Sequence, residues 1–226
     1  MRFAFGMIAA LLLAVSLGGC RSHYSWHQKL TLVVETPQGT RSGSSVVRVD
    51  VLYGQLPLMA GDTETFVTGE AAIVDLGQGK YLFALLMAED DGGLNGTVRL
   101  AEYTWRDQIT GHGKERLSQI ANLKGVRELP RKYYPLLVTF KNINDPETIE
   151  QVNPDDLENS FGPGYSLKSI TLEVTKEPVT TGVVEKLLPC LKMKKECISN
   201  KDVFPFDTTN RIKRRVLNIY FRRNRI

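Results

Sequence analysis

Two runs of alternating apolar and polar residues, joined by a single Pro-Gln-Gly turn, constrain this chain most. Leu30, Leu32 and Val34 alternate with Thr31, Val33 and Glu35, and Thr36-Pro37-Gln38-Gly39 then turns the chain. On the return, Val47, Val49, Val51 and Tyr53 alternate with Arg48, Asp50 and Leu52. Successive side chains of a strand leave opposite faces, so a period of two gathers each apolar set on one side. Two such runs around one turn predict an antiparallel hairpin with one buried face. Gly43, Ser44 and Ser45 are expected to permit a bulge or an extended loop before pairing begins.

The rest of the chain extends this pattern. Ala71 to Leu76, Gly77-Gln78-Gly79 and the apolar run Tyr81 to Met87 predict a second hairpin whose later strand is covered on both faces. Asp90-Asp91-Gly92-Gly93 and Asn95-Gly96 break the chain, and a new element starts near Thr97. Leu117, Ile120 and Ala121 fall at helical spacing within 114–124. Leu136, Val138 and Phe140 mark a strand, as do Lys168, Ile170, Leu172 and Val174. Asp145-Pro146 and Asn153-Pro154 each offer a capping side chain followed by proline, the arrangement of a helix first turn. A short helix with Val184, Leu187 and Leu188 is bracketed by Thr180-Thr181 and Pro189. No internal repeat is present. The fold class read from these elements is α+β, a mostly antiparallel sheet of about six strands with a few short helices.

The N-terminus carries a different signal. Arg2 precedes an apolar run from Phe3 to Val15, and Leu17-Gly18-Gly19-Cys20 follows. One cation, a short apolar core and small residues are the parts of a secretory signal peptide. An uncleaved anchor is the rival reading, but the run is shorter than the roughly 20 apolar residues of a span. With cysteine directly after the small residues, the segment resembles the lipobox of bacterial lipoprotein precursors. The resemblance implies a diacylglycerol on the Cys20 thiol, cleavage before it and acylation of the new amine. Two or more chains hold a protein stably on a membrane where one does not. Residue 21 is Arg rather than Asp, which in Gram-negative lipoproteins implies the outer membrane, facing the periplasm. The expected organisation is a signal peptide over 1–19, a lipidated tether over 20–28, a globular domain over 29–190 and a basic segment over 191–226.

Composition is that of a globular protein, with 42% hydrophobic and 24% charged residues. Removal of residues 1–19 from the 226-residue chain leaves 207, enough for one ordinary domain or two small ones. With Cys20 taken by lipid, Cys190 and Cys197 remain as a pair in an oxidising compartment, so a disulfide between them is expected beside a reduced pair. No histidine or further cysteine lies near enough in sequence to complete a metal site there. The net charge of +4 conceals an asymmetry: residues 191–226 hold 11 cations against three acids, and the remainder is −4.

A second resemblance covers part of the body. Gly164-Tyr165-Ser166-Leu167-Lys168-Ser169-Ile170-Thr171-Leu172-Glu173-Val174-Thr175, with Glu177 to Gly182 after it and Val34 to Gly39 earlier, is similar to an uncharacterised proteobacterial envelope family. It implies no activity and transfers no site residue.

Several groups could carry chemistry, and each has a plainer use. The acids Asp145, Glu147, Glu150, Asp155, Asp156 and Glu158 could bind a cation or transfer protons, but their spacing fits no calcium loop, and helix capping accounts for them. His23 and His27 have a zinc-like spacing without the glutamate of a metalloprotease motif, and Trp26 between them suits packing or a lipid interface. His112, between Gly111 and Gly113, is the histidine a Ser-His-Asp arrangement would need, though no G-x-S-x-G elbow accompanies it. The basic end, with Arg211, Lys213, Arg214 and Arg215 before Val216–Phe221 and Arg222, Arg223 and Arg225 after, suits an anionic lipid or lipopolysaccharide surface. The plainer reading is a terminal strand whose arginines guard a sheet edge. Nucleic acid would like the same composition, but an exported lipoprotein does not meet it. The expectation is a membrane-anchored, non-catalytic binding or structural lipoprotein, held by its lipid and contacting anionic lipid or another envelope protein, without metal or cofactor. The alternatives are a periplasm-facing hydrolase using His112 with a serine or carboxylate, and surface recognition through the basic end.

Overall fold

The computed structural model describes residues 22–56, 59–88, 94–193 and 221–223. The two alternating runs form β1 (Ser22–Thr36) and β2 (Gly39–Leu56), paired antiparallel in unbroken register from Ser22↔Tyr53 to Thr36↔Gly39. Leu32, Val34, Val49 and Val51 are buried, as their period requires. The strand also takes in residues 22–28, which the sequence presents as a tether. Trp26 explains the extension: it is buried, and its indole N–H donates to Gln28 Oε1 at 3.2 Å. Gln28 occupies an inward position with a polar side chain, so the apolar alternation stops short of the true strand start.

Gly43 introduces no bulge. A Cβ there would lie 1.8 Å from the Ile73 carbonyl oxygen, so glycine lets two backbones touch where two sheets meet. β3 (Met59–Glu70) returns along β2, and the chain then leaves for the second sheet. Gly69 makes that exit at φ +144, where any side chain would also strike Val47. β4 (Ala72–Gly77) and β5 (Lys80–Ala88) form the expected second hairpin. The remaining strands are β6 (Val126–Glu128), β7 (Pro135–Phe140), β8 (Ile149–Gln151), β9 (Ser166–Thr175) and β10 (Arg222–Arg223).

The architecture is mostly antiparallel sheet with a few short helices. It differs from a single sheet of about six strands. The described strands make a six-stranded sheet, β10-β3-β2-β1-β9-β6, and a four-stranded one, β4-β5-β7-β8, with every pairing antiparallel. The helices are α1 (Leu94–Thr104), α2 (Gly113–Ala121) and the single turns α3 (Glu158–Phe161) and α4 (Val184–Leu187). Asp145 caps a 3-10 turn at Pro146–Thr148 by accepting from the Glu147 N–H, as its sequence predicts. Asn153-Pro154 opens a turn rather than a helix.

β5 is buried on both faces, as its unbroken apolar run predicts. Leu82 and Ala84 face a core shared with the six-stranded sheet, whereas Phe83, Leu85 and Met87 face a second core. The far wall of that second core is the C-terminal region: Val184, Leu188 and Phe221 are buried in it. Phe221 meets Phe83 edge-on at 5.6 Å, and its carbonyl accepts from the Ala71 N–H. Residues 194–220 and 224–226 of the basic segment lie outside the described residues. Among the described residues, Phe221 joins the second core and Arg222 and Arg223 add to a sheet edge.

Candidate functional site

Near the start of β1, the outward residues of the hairpin converge on one carboxylate. Ser25 lies opposite Asp50 in the register, and His27 opposite Arg48. Asp50 is buried; His23 Nε2 lies 3.0 Å from its Oδ1, and Arg48 Nε donates to its Oδ2 at 2.9 Å. Burial opposes ionisation of Asp50, but hydrogen bonds from Ser25 and His23 with the Arg48 charge outweigh it and hold the carboxyl below its ordinary value. His23 and Ser25 both bond the carboxylate. A nucleophilic triad instead places the imidazole between the serine and the acid. This arrangement holds a charged aspartate in the sheet face and does not activate the hydroxyl.

His27 belongs to a separate contact. Its Nδ1 lies 2.6 Å from the Glu177 carbonyl oxygen, and Lys29 pairs with the Glu177 carboxylate at 2.8 Å. His23 and His27 share a strand rather than a helix, so four residues separate them by about 13 Å. They cannot ligate one ion together, and no cluster of metal-ligating side chains occurs among the described residues.

The acidic candidates are also engaged in holding the fold. Asp155 pairs with Arg131 at 2.7 Å, a contact that lowers its pKa, and Glu150 pairs with Lys141. Asp156 accepts from the Asn159 N–H and Glu158 from the Gly164 N–H. His112 stands exposed at the N-cap of α2 and makes no side-chain cap bond. Glu70, which no sequence pattern singles out, is buried and accepts from the backbone N–H groups of Gly182, Val183 and Val184. It thereby ties the C-terminal segment to the point where β3 leaves the first sheet. Thr180 adds bonds to the Val46 backbone.

A surface of a different kind lies on α1 and the 127–134 segment. Tyr103 and Tyr133 stack at 3.9 Å and 11°. Arg99 lies over Tyr103 at 4.6 Å and Lys132 over Tyr133 at 5.8 Å, giving a column of cation, ring, ring and cation. Arg131 lies over Tyr134, and Arg127 over the buried Trp105. Sequence reasoning missed this ridge. Its only local trace is Arg131-Lys132-Tyr133-Tyr134, and the other half lies a helix away.

Cys190 is disulfide-bonded and packs against the second core. Cys20, Cys197, Arg211, Lys213, Arg214, Arg215 and Arg225 lie outside the described residues, as do residues 1–19. The backbone of Arg222 and Arg223 pairs with Glu70 and Gly69 of β3. Among the described residues, no helix is long and apolar enough to cross a membrane. No family model, curated protein or solved structure matches this chain.

Proposed function

We propose that this chain is a lipoprotein of the bacterial cell envelope, acylated at Cys20, whose body serves a non-catalytic binding or structural role. The anchor rests on Leu17-Gly18-Gly19-Cys20 after a short apolar run. One observation carries the non-catalytic reading: the carboxylates Asp50, Glu70 and Asp155 are committed to the fold, and exposed His112 has none of them as a partner. Asp50 is held by His23, Ser25 and Arg48, Glu70 by three backbone amides, and Asp155 by Arg131. The surface that supports a binding role is the aromatic–cation ridge of Arg99, Tyr103, Tyr133 and Lys132. Residue 21 favours the outer membrane, facing the periplasm. The pair expected for Cys190 is Cys197.

The basic C-terminal segment supports a second reading. Its Arg222 and Arg223 add a strand to the exposed edge of β3, and arginines on such an edge discourage pairing with other chains. Edge protection accounts for these two residues without a lipid partner. The anchor is tested by membrane fractionation of the wild type and Cys20→Ser. The wild type floats with membranes and incorporates labelled fatty acid. The variant is expected to lose the label and retain its signal segment, and normal maturation of Cys20→Ser would contradict the assignment.

A further inference from the structure

We infer that residues 180–188 form a strap that opens and reseats as one unit while both sheets stay folded, with the Glu70 carboxylate as its latch. The strap has little stability of its own. Its one helical element is the single turn α4, too short to persist in water without tertiary contacts. None of its residues belongs to a strand of either sheet, so lifting it breaks no ladder pairing. Its anchors to the body are few. The Thr180 N–H donates to the Val46 carbonyl and its hydroxyl accepts from the Val46 N–H, each at 2.9 Å. Val184 and Leu188 are buried in the second core, whereas Val183 is 42% exposed. A local opening costs only the contacts it breaks, well short of global unfolding.

The latch joins the strap to the body at one side chain. Glu70 is 1% exposed, and its carboxylate accepts from three successive main-chain amides: Oε1 from Gly182, and Oε2 from Val183 at 2.9 Å and Val184 at 3.0 Å. These N–H groups converge because Gly182 takes φ +80 and Val183 is right-handed at φ -77, ψ -49, the alternation that turns a backbone into a nest for an anion. The carboxylate is mounted on the body. Glu70 ends β3, its carbonyl accepts from the Ser45 hydroxyl at 2.7 Å, and its backbone pairs with Arg222. The strap is also held beyond each end. Before it, His27 fixes the Glu177 carbonyl and Lys29 the Glu177 carboxylate; after it, disulfide-bonded Cys190 packs against the second core. A segment fixed at both ends and latched between them lifts and returns in place. When it lifts, Val184 and Leu188 leave the second core and bare part of its apolar wall.

The test is hydrogen exchange read by mass spectrometry on the full chain, comparing the wild type with Glu70→Gln. Glutamine keeps the shape, but both carboxylate oxygens are in use, so either amide orientation sets an NH2 group against a main-chain N–H. Peptides from 180–188 are expected to exchange roughly tenfold faster or more in the variant, while those from β1, β2 and β5 keep the wild-type rate. Acceleration of all these peptides by one factor means that the strap opens only with the whole fold, and it overturns the inference. Unchanged exchange at 180–188 overturns it too, because Glu70 is then no latch. Gly182→Ala perturbs the contact from the strap's side and guards against a folding defect peculiar to Glu70→Gln. Its methyl meets no atom within 4 Å, so its effect comes from the positive φ alone. The same local acceleration is expected from it, and a uniform or absent one contradicts the inference in the same way.

Discussion

Asp50 shows how a residue that looks catalytic can be structural. Its carboxylate is buried among His23, Ser25 and Arg48, and those partners keep its pKa lowered despite burial. A depressed carboxyl stabilises the fold above its unfolded value and loses that contribution as pH falls through the folded one. Asp50→Asn keeps the shape and removes the charge. It is expected to cost about 1–3 kcal/mol at pH 7, because a buried charge-assisted network is broken from one side. Urea melts of both proteins at pH 7 and near pH 3 check this: the gap is expected to shrink at the acid end. An equal gap at both pH values means that the charge is not what matters. The alternation around Asp50 was legible, since Val49 and Val51 had to point inward. Its partners were not, because cross-strand register alone places Ser25 opposite it.

At the scale of elements, the C-terminal strand shows where sequence reasoning stopped. Val216 to Phe221 reads as β-prone between two basic runs, and its plainer reading is a terminal strand whose arginines guard a sheet edge, beside a lipid-binding surface. The structure pairs Arg222 and Arg223 with β3, in keeping with an edge strand, and places Phe221 against Phe83 and Phe140. Nothing local reports the burial of Phe221, since these aromatic partners lie about 80 and 140 positions upstream in the sequence. Phe221→Ala is therefore expected to cost about 3–5 kcal/mol in unfolding experiments, as a buried aromatic leaves a cavity. A loss below about 1 kcal/mol would return the segment to the status of a tail. Glu70 belongs to the same lesson. It ends a strand and looks like an ordinary surface acid, yet three amides of a segment over a hundred residues away close around it.

For the whole molecule, the hairpins were the legible part, and the arrangement of layers was not. Period-two patterning located β1, β2, β7 and β9, and a short Gly-Gln-Gly loop before an unbroken apolar run located β4 and β5. The split into two sheets turns on Gly43 and Gly69, whose roles are backbone contacts that a composition or a period cannot register. The start of β1 at Ser22 shows that residues 22–28, which the sequence presents as a tether, belong to the sheet. The central claim is that the mature chain begins at an acylated Cys20, and the intact mass of protein purified from membranes tests it most directly. The account predicts a chain starting at Cys20 and heavier by a diacylglycerol and a further acyl group, with two hydrogens fewer for the Cys190–Cys197 bond. A mature chain that begins at any other residue, or that carries Cys20 unmodified, would contradict it.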